Sequence, residues 1–405
     1  MNRGFFTILT AQFFSALADN ALLFAAIALL NELNAPEWHT PLLQQFFILS
    51  YIFLAPFVGP FADSMPKGRV MFISNAIKIL GCLAMLVGVP PLYAYAIVGF
   101  GAAAYSPAKY GILTEYLPPA LLVKANSWME GATVAAIVLG AIIGGLLISP
   151  HLMGGVLAQW GLPGWLSVPQ LAIFIILLLY VIAAVFNYHI PRLPIDHKLP
   201  KKNPVFLVRD FWHAFKLLWK DPLGQVSLAV TTLFWGVGAT LRLVVLAWAA
   251  FNLKFDLAHA TQLTAMVAIG IAVGAAAAGR WVKLESSVKV LPAGIALGLI
   301  VITMIFVTDW RVAMGLMFVI GALSGFFVVP LNALLQHRGH LLMGAGHSIA
   351  IQNFNENIGI LVLLGAYALM VGNGVHIHWV IVSFGIFISL AMTVIWRRHR
   401  DDQVY

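Results

Sequence analysis

Apolar runs of bilayer length recur along the whole chain and are separated by short polar connections. A helix needs about 20 predominantly apolar residues to cross the hydrocarbon core of a membrane. The pattern therefore predicts an all-α polytopic membrane protein with twelve transmembrane helices. The first run is too long for the apolar core of a signal peptide and lacks a small-residue cleavage site, so we expect a retained helix. The predicted spans are 5–31, 42–62, 69–89, 92–115, 127–149, 167–188, 224–250, 261–280, 288–307, 311–335, 346–371 and 376–396.

The longest polar connection divides the predicted spans into two sets of six. Its first part is basic and rich in Pro, which is typical of an irregular linker. Its second part predicts an amphipathic helix, which either lies in the cytoplasmic headgroup layer or packs on the cytoplasmic ends of the helices. The apolar residues at helical spacing are Leu207, Phe211, Phe215, Leu218 and Trp219. The predicted domains are a six-helix bundle at 1–190, the linker with its amphipathic helix at 191–223, and a second six-helix bundle at 224–405.

Composition supports the membrane assignment and gives it an orientation. The 405 residues are 61% hydrophobic and 9% charged, whereas a soluble domain carries about 25% charged residues. Of 23 Lys and Arg residues, 18 fall on one predicted side, so the positive-inside rule places both termini and the central connection in the cytoplasm. The net charge of +8 follows this topology, and we expect no nucleic-acid partner. The single cysteine, Cys82, lies in an apolar span, so we expect no disulfide, metal or redox cofactor.

The two halves of the chain correspond when one is shifted by roughly 220 residues. The shift aligns Asp19 with Ala239, which lies one helical turn from Arg242 and on the same face of its helix. The first and seventh spans therefore each carry a charge at corresponding depth. A parallel six-plus-six repeat joined by a long cytoplasmic linker is the plan of a major facilitator transporter. The other corresponding segments are 105–109 with 328–332 and 126–130 with 352–356.

The connection between the second and third spans, GPFADSMPKGR, supports the same fold. It resembles the loop motif G-x-x-x-D-R-x-G-R of the major facilitator superfamily. It differs by a two-residue insertion and by the lack of an Arg directly after the acid, so a gating contact between that acid and an Arg is not implied. The matching residues are Gly59, Asp63, Lys67, Gly68 and Arg69.

Seven short sequence segments, spread in order along almost the whole chain, resemble one family within this superfamily, the bacterial lysophospholipid transporter (LplT) family. This resemblance implies transport of lysophospholipids, chiefly lysophosphatidylethanolamine and lysophosphatidylglycerol, from the outer to the inner leaflet of a bacterial inner membrane. It also implies a functional partner, an acyltransferase and acyl-carrier-protein (acyl-ACP) synthetase that reacylates the lipid. The segments are AQFFSALADNALLFA, APFVGPFADSMPKGRV, GAAAYSPAKYGILTE, VKANSWME, TLFWGVGATLRLVVLAW, GFFVVPLNALLQ and QNFNEN.

Ionisable residues at membrane depth are the candidates for substrate binding or gating, because each costs roughly 2.5–3.5 kcal/mol in an apolar span. The Arg guanidinium matches a phosphate bidentately, so Arg242 is predicted to bind the headgroup phosphate or to gate with Asp19. Glu356 is predicted to pair with Arg242 in one conformational state. The structural alternatives are a carboxylate that caps polar groups between helices for Asp19, and an ion pair with a neighbouring helix for Arg242.

Two further candidates lie nearer the cytoplasmic side. Lys109 is predicted to be a cationic step on the exit route of the lipid, or else to neutralise an acid at the cytoplasmic end. Glu130 is predicted to gate, or else to tie the helix to Lys124 or to the loop motif. Lys78 is expected to snorkel to the interface and to have a structural role. The set of candidates is completed by Asn20, Gln352 and Asn355.

Glycine-rich stretches within the spans are predicted to mark close helix packing rather than chemistry. Residues of this kind are Gly140, Gly144, Gly145 and the stretch 270–279.

Other functional classes fit the sequence less well. An ion-coupled exporter of amphipathic drugs or metabolites shares the fold, with Asp19 and Glu356 as its proton-binding groups. A membrane acyltransferase commonly carries His and Asp in the pattern H-x-x-x-x-D, which does not occur in this chain, and the G-x-S-x-G elbow is also missing. We therefore expect a transporter that is not an enzyme, and nothing in the sequence demands more than a monomer.

Overall fold

The computed structural model describes residues 2–36, 38–149, 151, 155, 167–195, 203–255 and 257–400. Thirteen α-helices have both ends within these residues, and none of these residues forms a β-strand. The helices are α1 (Arg3–Glu32), α2 (His39–Asp63), α3 (Lys67–Leu86), α4 (Pro91–Tyr116), α5 (Leu122–Leu147), α6 (Val168–Tyr188), α7 (Pro204–Lys220), α8 (Pro222–Asn252), α9 (Leu257–Trp281), α10 (Leu291–Thr303), α11 (Trp310–Met343), α12 (Ala345–Gly372) and α13 (Ile377–His399). Short 3-10 segments lie at Pro119–Leu121, Leu284–Val290 and Met304–Phe306.

The predicted all-α membrane fold is confirmed. In the described part of the chain, 11 helical segments are long and apolar enough to cross a membrane. The remaining predicted span forms α4, a helix of 26 residues whose Tyr, Gly and Lys content lowers its mean hydropathy. Helix α11 continues beyond its predicted end at 335 and stops only at Gly344, which has a φ of +99° and so adopts a backbone conformation that favours glycine.

Polar side chains define where several helices begin. Asn2 accepts a hydrogen bond from the Phe5 amide at 3.1 Å, and Asp221 accepts one from the Gly224 amide at 2.8 Å. Ser167 forms a capping box at the start of α6. Such caps satisfy amides that have no partner inside the helix, so they define where these three helices begin.

Packing divides the chain into two compact units. The first comprises Met1–Ile112, Ala135–Phe211 and Gly344–Ala350. In this unit α6 packs against both α1 and α3, around a buried core that includes Leu22, Ile176 and Tyr180. The second comprises Leu113–Val134, Trp212–Met343 and Ile351–Tyr405, with α9 packed along α11 and α10 along α13.

Glycines permit the closest helix pairs, as the sequence predicts for most of them. In the second unit, a Cβ on Gly270 or Gly274 of α9 would overlap backbone atoms of α11, and in the first a Cβ on Gly140 or Gly144 would overlap α1. Among the described residues no atom lies within 4 Å of a Cβ on Gly145, so the predicted close packing is not found there. Small residues let helix backbones approach, which is how helices associate in lipid where no hydrophobic driving force operates between them.

Helix α7 is the predicted amphipathic helix, and its apolar face is covered by protein. Phe211 and Leu218 are buried, and the rings of Trp212 and Phe215 contact Phe354 of α12. The structure therefore favours packing on the bundle over a position in the headgroup layer, because the face that would enter the lipid is already occupied. Residues 196–202 of the predicted Pro-rich linker lie outside the described residues.

Replacing Gly274 by Ala is expected to destabilise the protein by about 1–3 kcal/mol, because the added methyl group meets the Ala322 carbonyl group. The matched control is Gly315→Ala on α11, where no described atom lies within 4 Å of the Cβ position and the better helix propensity of Ala has no cost. Thermal unfolding in detergent measures both variants. Equal unfolding temperatures for the two variants would contradict the assignment of Gly274 to a close helix contact.

Candidate functional site

Asp19 lies in the middle of α1 and is neutralised by Lys78 of α3. The Lys78 ammonium donates to both carboxylate oxygens of Asp19 at 2.8 Å. Tyr180 of α6 adds a hydrogen bond to Asp19 Oδ1 at 2.7 Å. The Lys78 side chain is 1% exposed and that of Asp19 is 22% exposed, so the carboxylate is the partner that remains accessible. One charge pair therefore connects three helices of the first unit.

The ammonium of Lys78 is held by further groups of the same unit. It donates to Ser15 Oγ at 3.0 Å, and Ser15 in turn donates to Asn75 Oδ1 at 2.8 Å. The ring centroid of Tyr105 lies 4.8 Å from Lys78 Nζ, close enough for a cation–π contact. Gly101 leaves room for the Lys78 stem, because a Cβ at this position would lie 2.6 Å from Lys78 Cγ.

The expectation that Lys78 snorkels to the interface is wrong. Its side chain is buried because Asp19 and Ser15 supply the acceptors that an ammonium needs away from water. The sequence carried one signal for this pair, since Asp19 and Lys78 are both charged, of opposite sign, and placed within predicted spans of the same half. In this structure, any other cation that pairs with Asp19 competes with Lys78.

Arg242 of α8, unlike Lys78, is not held by an acidic partner in the described part of the chain. It is exposed, and among the described residues it makes no ion pair or side-chain hydrogen bond. The predicted pair between Arg242 and Glu356 is not formed in this structure. A guanidinium within a membrane span is stable only where water or a ligand reaches it. Arg242 is therefore available to an anionic group.

Glu356 lies in a buried polar cluster of α11 and α12. Its Oε1 accepts a hydrogen bond from Gln352 Nε2 at 2.7 Å, and the same nitrogen donates to Asn332 Oδ1 at 2.8 Å. Glu130 of α5 is near enough to interact electrostatically with Glu356. Among the described residues no cation lies within ion-pair distance of Glu356. Glu356 is thus bonded to a neutral amide and lies near a second acid, Glu130.

A reciprocal amide pair ties α5 to α11 beside this cluster. Asn126 Nδ2 donates to Gln336 Oε1 at 2.8 Å, and Gln336 Nε2 returns a bond of the same length to Asn126 Oδ1. Neither Asn126 nor Gln336 was singled out from the sequence as a candidate. The pair fixes the register of the segment that presents Glu130.

Two of the remaining candidates, Asn20 and Asn355, bond to carbonyl groups of their own helices. Asn20 Nδ2 donates to the Ala16 carbonyl at 2.8 Å, and Asn355 Nδ2 donates to the Ile351 carbonyl at 2.9 Å. Lys109 is half-buried, and its Nζ lies 4.6 Å from the ring centroid of Tyr110. The roles of Asn20, Asn355 and Lys109 in transport stay predictions.

The loop motif forms a buried hub around Asp63. Lys67 donates to Asp63 Oδ1 at 2.7 Å, and the Gly346 amide donates to the same oxygen at 2.9 Å. His347 contacts Asp63 Oδ2 through Nδ1 at 2.7 Å, and its Nε2 lies 3.4 Å from Asp210 Oδ2 of α7, an ion-pair distance without hydrogen-bond geometry. Asp63 therefore uses Lys67 and His347 in place of the Arg that the superfamily motif supplies.

The other three motif residues have packing or surface roles. A Cβ on Gly59 would lie 3.0 Å from His347 Cα, so this glycine allows α2 to approach the start of α12. A Cβ on Gly68 would lie 2.9 Å from Ile190 Cβ, beyond the end of α6. Arg69 is exposed.

Comparisons with known proteins identify related sequences and folds. A family model described as Major Facilitator Superfamily matches residues 8–364. The chain is 44% identical over 402 residues to a protein named lysophospholipid transporter LplT from Escherichia coli strain SE11, covering 98% of this chain and 97% of that protein. It matches the protein of the same name from Escherichia coli O1:K1 / APEC with the same identity and coverage.

Solved structures share the fold at low sequence identity. The fucose transporter FucP in the outward conformation matches with a TM-score of 0.76 and 12% identity, covering 98% of this chain and 97% of that one. A bacterial homologue of the iron transporter ferroportin, in an outward-facing state, matches with a TM-score of 0.70 and 17% identity, covering 98% of this chain and 100% of that one. At these identities the likeness concerns the fold alone.

Removing one partner of the Asp19–Lys78 pair is expected to cost about 3 kcal/mol of unfolding free energy, because the other charge is left buried and unpaired. Lys78→Met is therefore expected to destabilise more than the double variant Asp19→Asn/Lys78→Met. Thermal unfolding of the single and double variants, analysed as a double-mutant cycle, measures the coupling.

Lys124→Met removes an exposed cation and is the control for loss of positive charge alone. Additive effects of Asp19→Asn and Lys78→Met would show that the two side chains do not stabilise one another.

Proposed function

Because the chain belongs to the Major Facilitator Superfamily and, within it, to the lysophospholipid transporters, we propose that it carries lysophospholipids across a bacterial inner membrane. The sequence resemblance to the LplT family is confirmed by 44% identity over 98% of the chain. The substrates in this proposal are lysophosphatidylethanolamine and lysophosphatidylglycerol, moved from the outer to the inner leaflet. Both carry one acyl chain and a phosphate, and they differ in the group attached to that phosphate.

The observation that carries the proposal is the unpaired state of Arg242. A lysophospholipid phosphate needs a cation when it leaves the headgroup layer, and a guanidinium offers two parallel N–H donors to phosphate oxygens. Arg242 is exposed within a membrane span and has no competing carboxylate among the described residues. Lys78, by contrast, forms an ion pair with Asp19. Arg242 is therefore the cation assigned to the phosphate.

A carboxylate is needed to offset the amine of lysophosphatidylethanolamine, and the hydroxyl groups of a glycerol headgroup can donate to the same oxygens. Asp19 and Glu356 are the two candidates. Asp19 has a side chain that is 22% exposed, whereas Glu356 is 7% exposed and bonded to Gln352. Asp19 is the preferred candidate because its oxygens remain reachable while Lys78 holds the carboxylate in place.

The proposed setting follows from charge and from the chemistry of the product. Both termini and the connection that contains α7 are assigned to the cytoplasm because Lys and Arg concentrate there. A lysophospholipid delivered to the inner leaflet becomes a membrane phospholipid only after an acyl chain is added. We assign that step to a separate acyltransferase and acyl-ACP synthetase, and the chain itself to transport.

Uptake of labelled lysophosphatidylethanolamine into bacterial spheroplasts that lack their own transporter tests the proposed function. Spheroplasts that express the wild-type chain are expected to accumulate label, and those without it are not. Asp19→Ala is expected to abolish uptake because it removes the carboxylate and leaves Lys78 uncompensated. Absence of uptake at normal expression of the wild-type chain would overturn the proposal that lysophospholipids are the substrate.

One observation favours a second candidate function, an ion-coupled exporter of amphipathic drugs or metabolites. Glu356 is buried and, among the described residues, has no cationic partner, as a proton-binding group in a coupled transporter would be. An uncoupler added to the same spheroplasts separates the two functions. Facilitated lipid movement is expected to continue after the gradient collapses, whereas proton-coupled transport is expected to stop.

Arg242→Lys is expected to impair lysophospholipid uptake nearly as much as Arg242→Ala, by roughly 10-fold to 100-fold, because an ammonium does not reproduce bidentate binding of phosphate. Initial uptake rates at equal expression measure the effect. Arg280→Lys is the control, since Arg280 is exposed at the last turn of α9 and is given no role in binding. Near-normal uptake by Arg242→Lys would show that Arg242 acts only through its positive charge and not through bidentate hydrogen bonding.

A further inference from the structure

A cavity of about 370 Å³ lies in the first unit where α3 begins and α6 ends. The two helix ends lie close together, as shown by Gly68, on which a Cβ would lie 3.1 Å from the Asn187 carbonyl oxygen. Two arginines line the cavity, Arg69 from the first turn of α3 and Arg192 from the segment that follows α6. Neither Asp19 nor Arg242, to which transport is assigned, is among the lining residues.

The charges that line this cavity are positive and uncompensated. Arg69 and Arg192 are both exposed, and neither forms an ion pair with a described residue. None of the described lining residues is acidic. Two guanidinium groups without a carboxylate partner favour an anion with several oxygen acceptors, and a phosphate is the group whose geometry fits such forks.

A buried amide provides an independent observation at the same place. Asn187 lines the cavity, is 1% exposed, and accepts a hydrogen bond from the Tyr105 hydroxyl at 3.5 Å through Oδ1. Its Nδ2 has no hydrogen-bond partner among the residues that the structure describes. A buried N–H donor without an acceptor is costly, and an oxygen of a bound ligand would satisfy it.

Aromatic residues point to a lipid rather than to a small soluble anion. Phe72 and Tyr188 line the cavity, are exposed, and contact each other with ring centroids 6.3 Å apart. Aromatic side chains of this kind are enriched at the level of the headgroups, where an apolar body meets acyl chains. Helices α3 and α6 both cross the membrane, so their ends at this cavity lie at the headgroup layer.

We propose that this cavity binds the phosphate headgroup of an anionic phospholipid in the cytoplasmic leaflet. Arg69 and Arg192 would hold the phosphate, Asn187 would donate to one of its oxygens, and Phe72 with Tyr188 would contact the start of the acyl chains. The inference rests on the cytoplasmic orientation of the positively charged side in the proposed function. Basic pockets between transmembrane helices on that side are suited to anionic headgroups.

Native mass spectrometry of the purified full chain with added phosphatidylglycerol tests the proposal directly. The wild type is expected to retain phosphatidylglycerol in preference to zwitterionic phosphatidylethanolamine. The double variant Arg69→Gln/Arg192→Gln is expected to bind phosphatidylglycerol about tenfold more weakly. Arg192→Gln alone, which lies beyond α6 and outside any helix, is expected to show an intermediate loss without an effect on folding.

The matched control is Arg397→Gln/Arg398→Gln, which removes two exposed arginines at the end of α13 and is expected to leave binding unchanged. Equal binding by the wild type and the cavity variants would overturn the site. Competition by inorganic phosphate as effective as that by phosphatidylglycerol would assign the cavity to a free anion instead. Lipid binding is measured without transport, so failure here leaves the proposed transport function standing, and failure of lysophospholipid uptake leaves this binding result standing.

Discussion

The ion pair between Asp19 and Lys78 is the constraint on which the interior of the first unit depends. A carboxylate in the middle of a membrane helix is costly unless a partner and hydrogen bonds compensate it. Here the ammonium reaches both oxygens of Asp19 at 2.8 Å, and Tyr180 completes the contact. Because these groups come from α1, α3 and α6, the compensation of one charge also fixes how three helices pack.

Charge at membrane depth is arranged differently in the two units. In the first, Lys78 is buried and forms an ion pair with Asp19, so it cannot bind a ligand without breaking that pair. In the second, Arg242 is exposed and without an ion pair among the described residues, while Glu356 is bonded to neutral amides. In the proposed function both conditions are used: the paired charges of the first unit preserve its fold, and the unpaired Arg242 binds the phosphate of the lipid.

The sequence was sufficient for the fold because a bilayer requires about 20 apolar residues in every span, and the helices follow the apolar runs. It also identified Asp19 and Arg242 as charged residues at membrane depth. It could not choose the partner of Asp19, because hydropathy gives the depth of a residue and not the neighbour its side chain faces. The repeat alignment favoured Arg242, whereas the packing of α3 on α6 brought Lys78. For α7 the amphipathic pattern was compatible with either lipid or protein, and only the contacts with Phe354 distinguish them.

The central claim is that Arg242 is the free cation that receives the lipid phosphate. Protection of Arg242 from an arginine-specific dicarbonyl reagent, read by peptide mass spectrometry on the purified chain, measures this directly. The account predicts that modification of Arg242 falls as lysophosphatidylethanolamine is added but not as a monoacylglycerol with the same chain is added, and that modification of exposed Arg280 changes with neither. Equal modification of Arg242 in the presence of both lipids would contradict it.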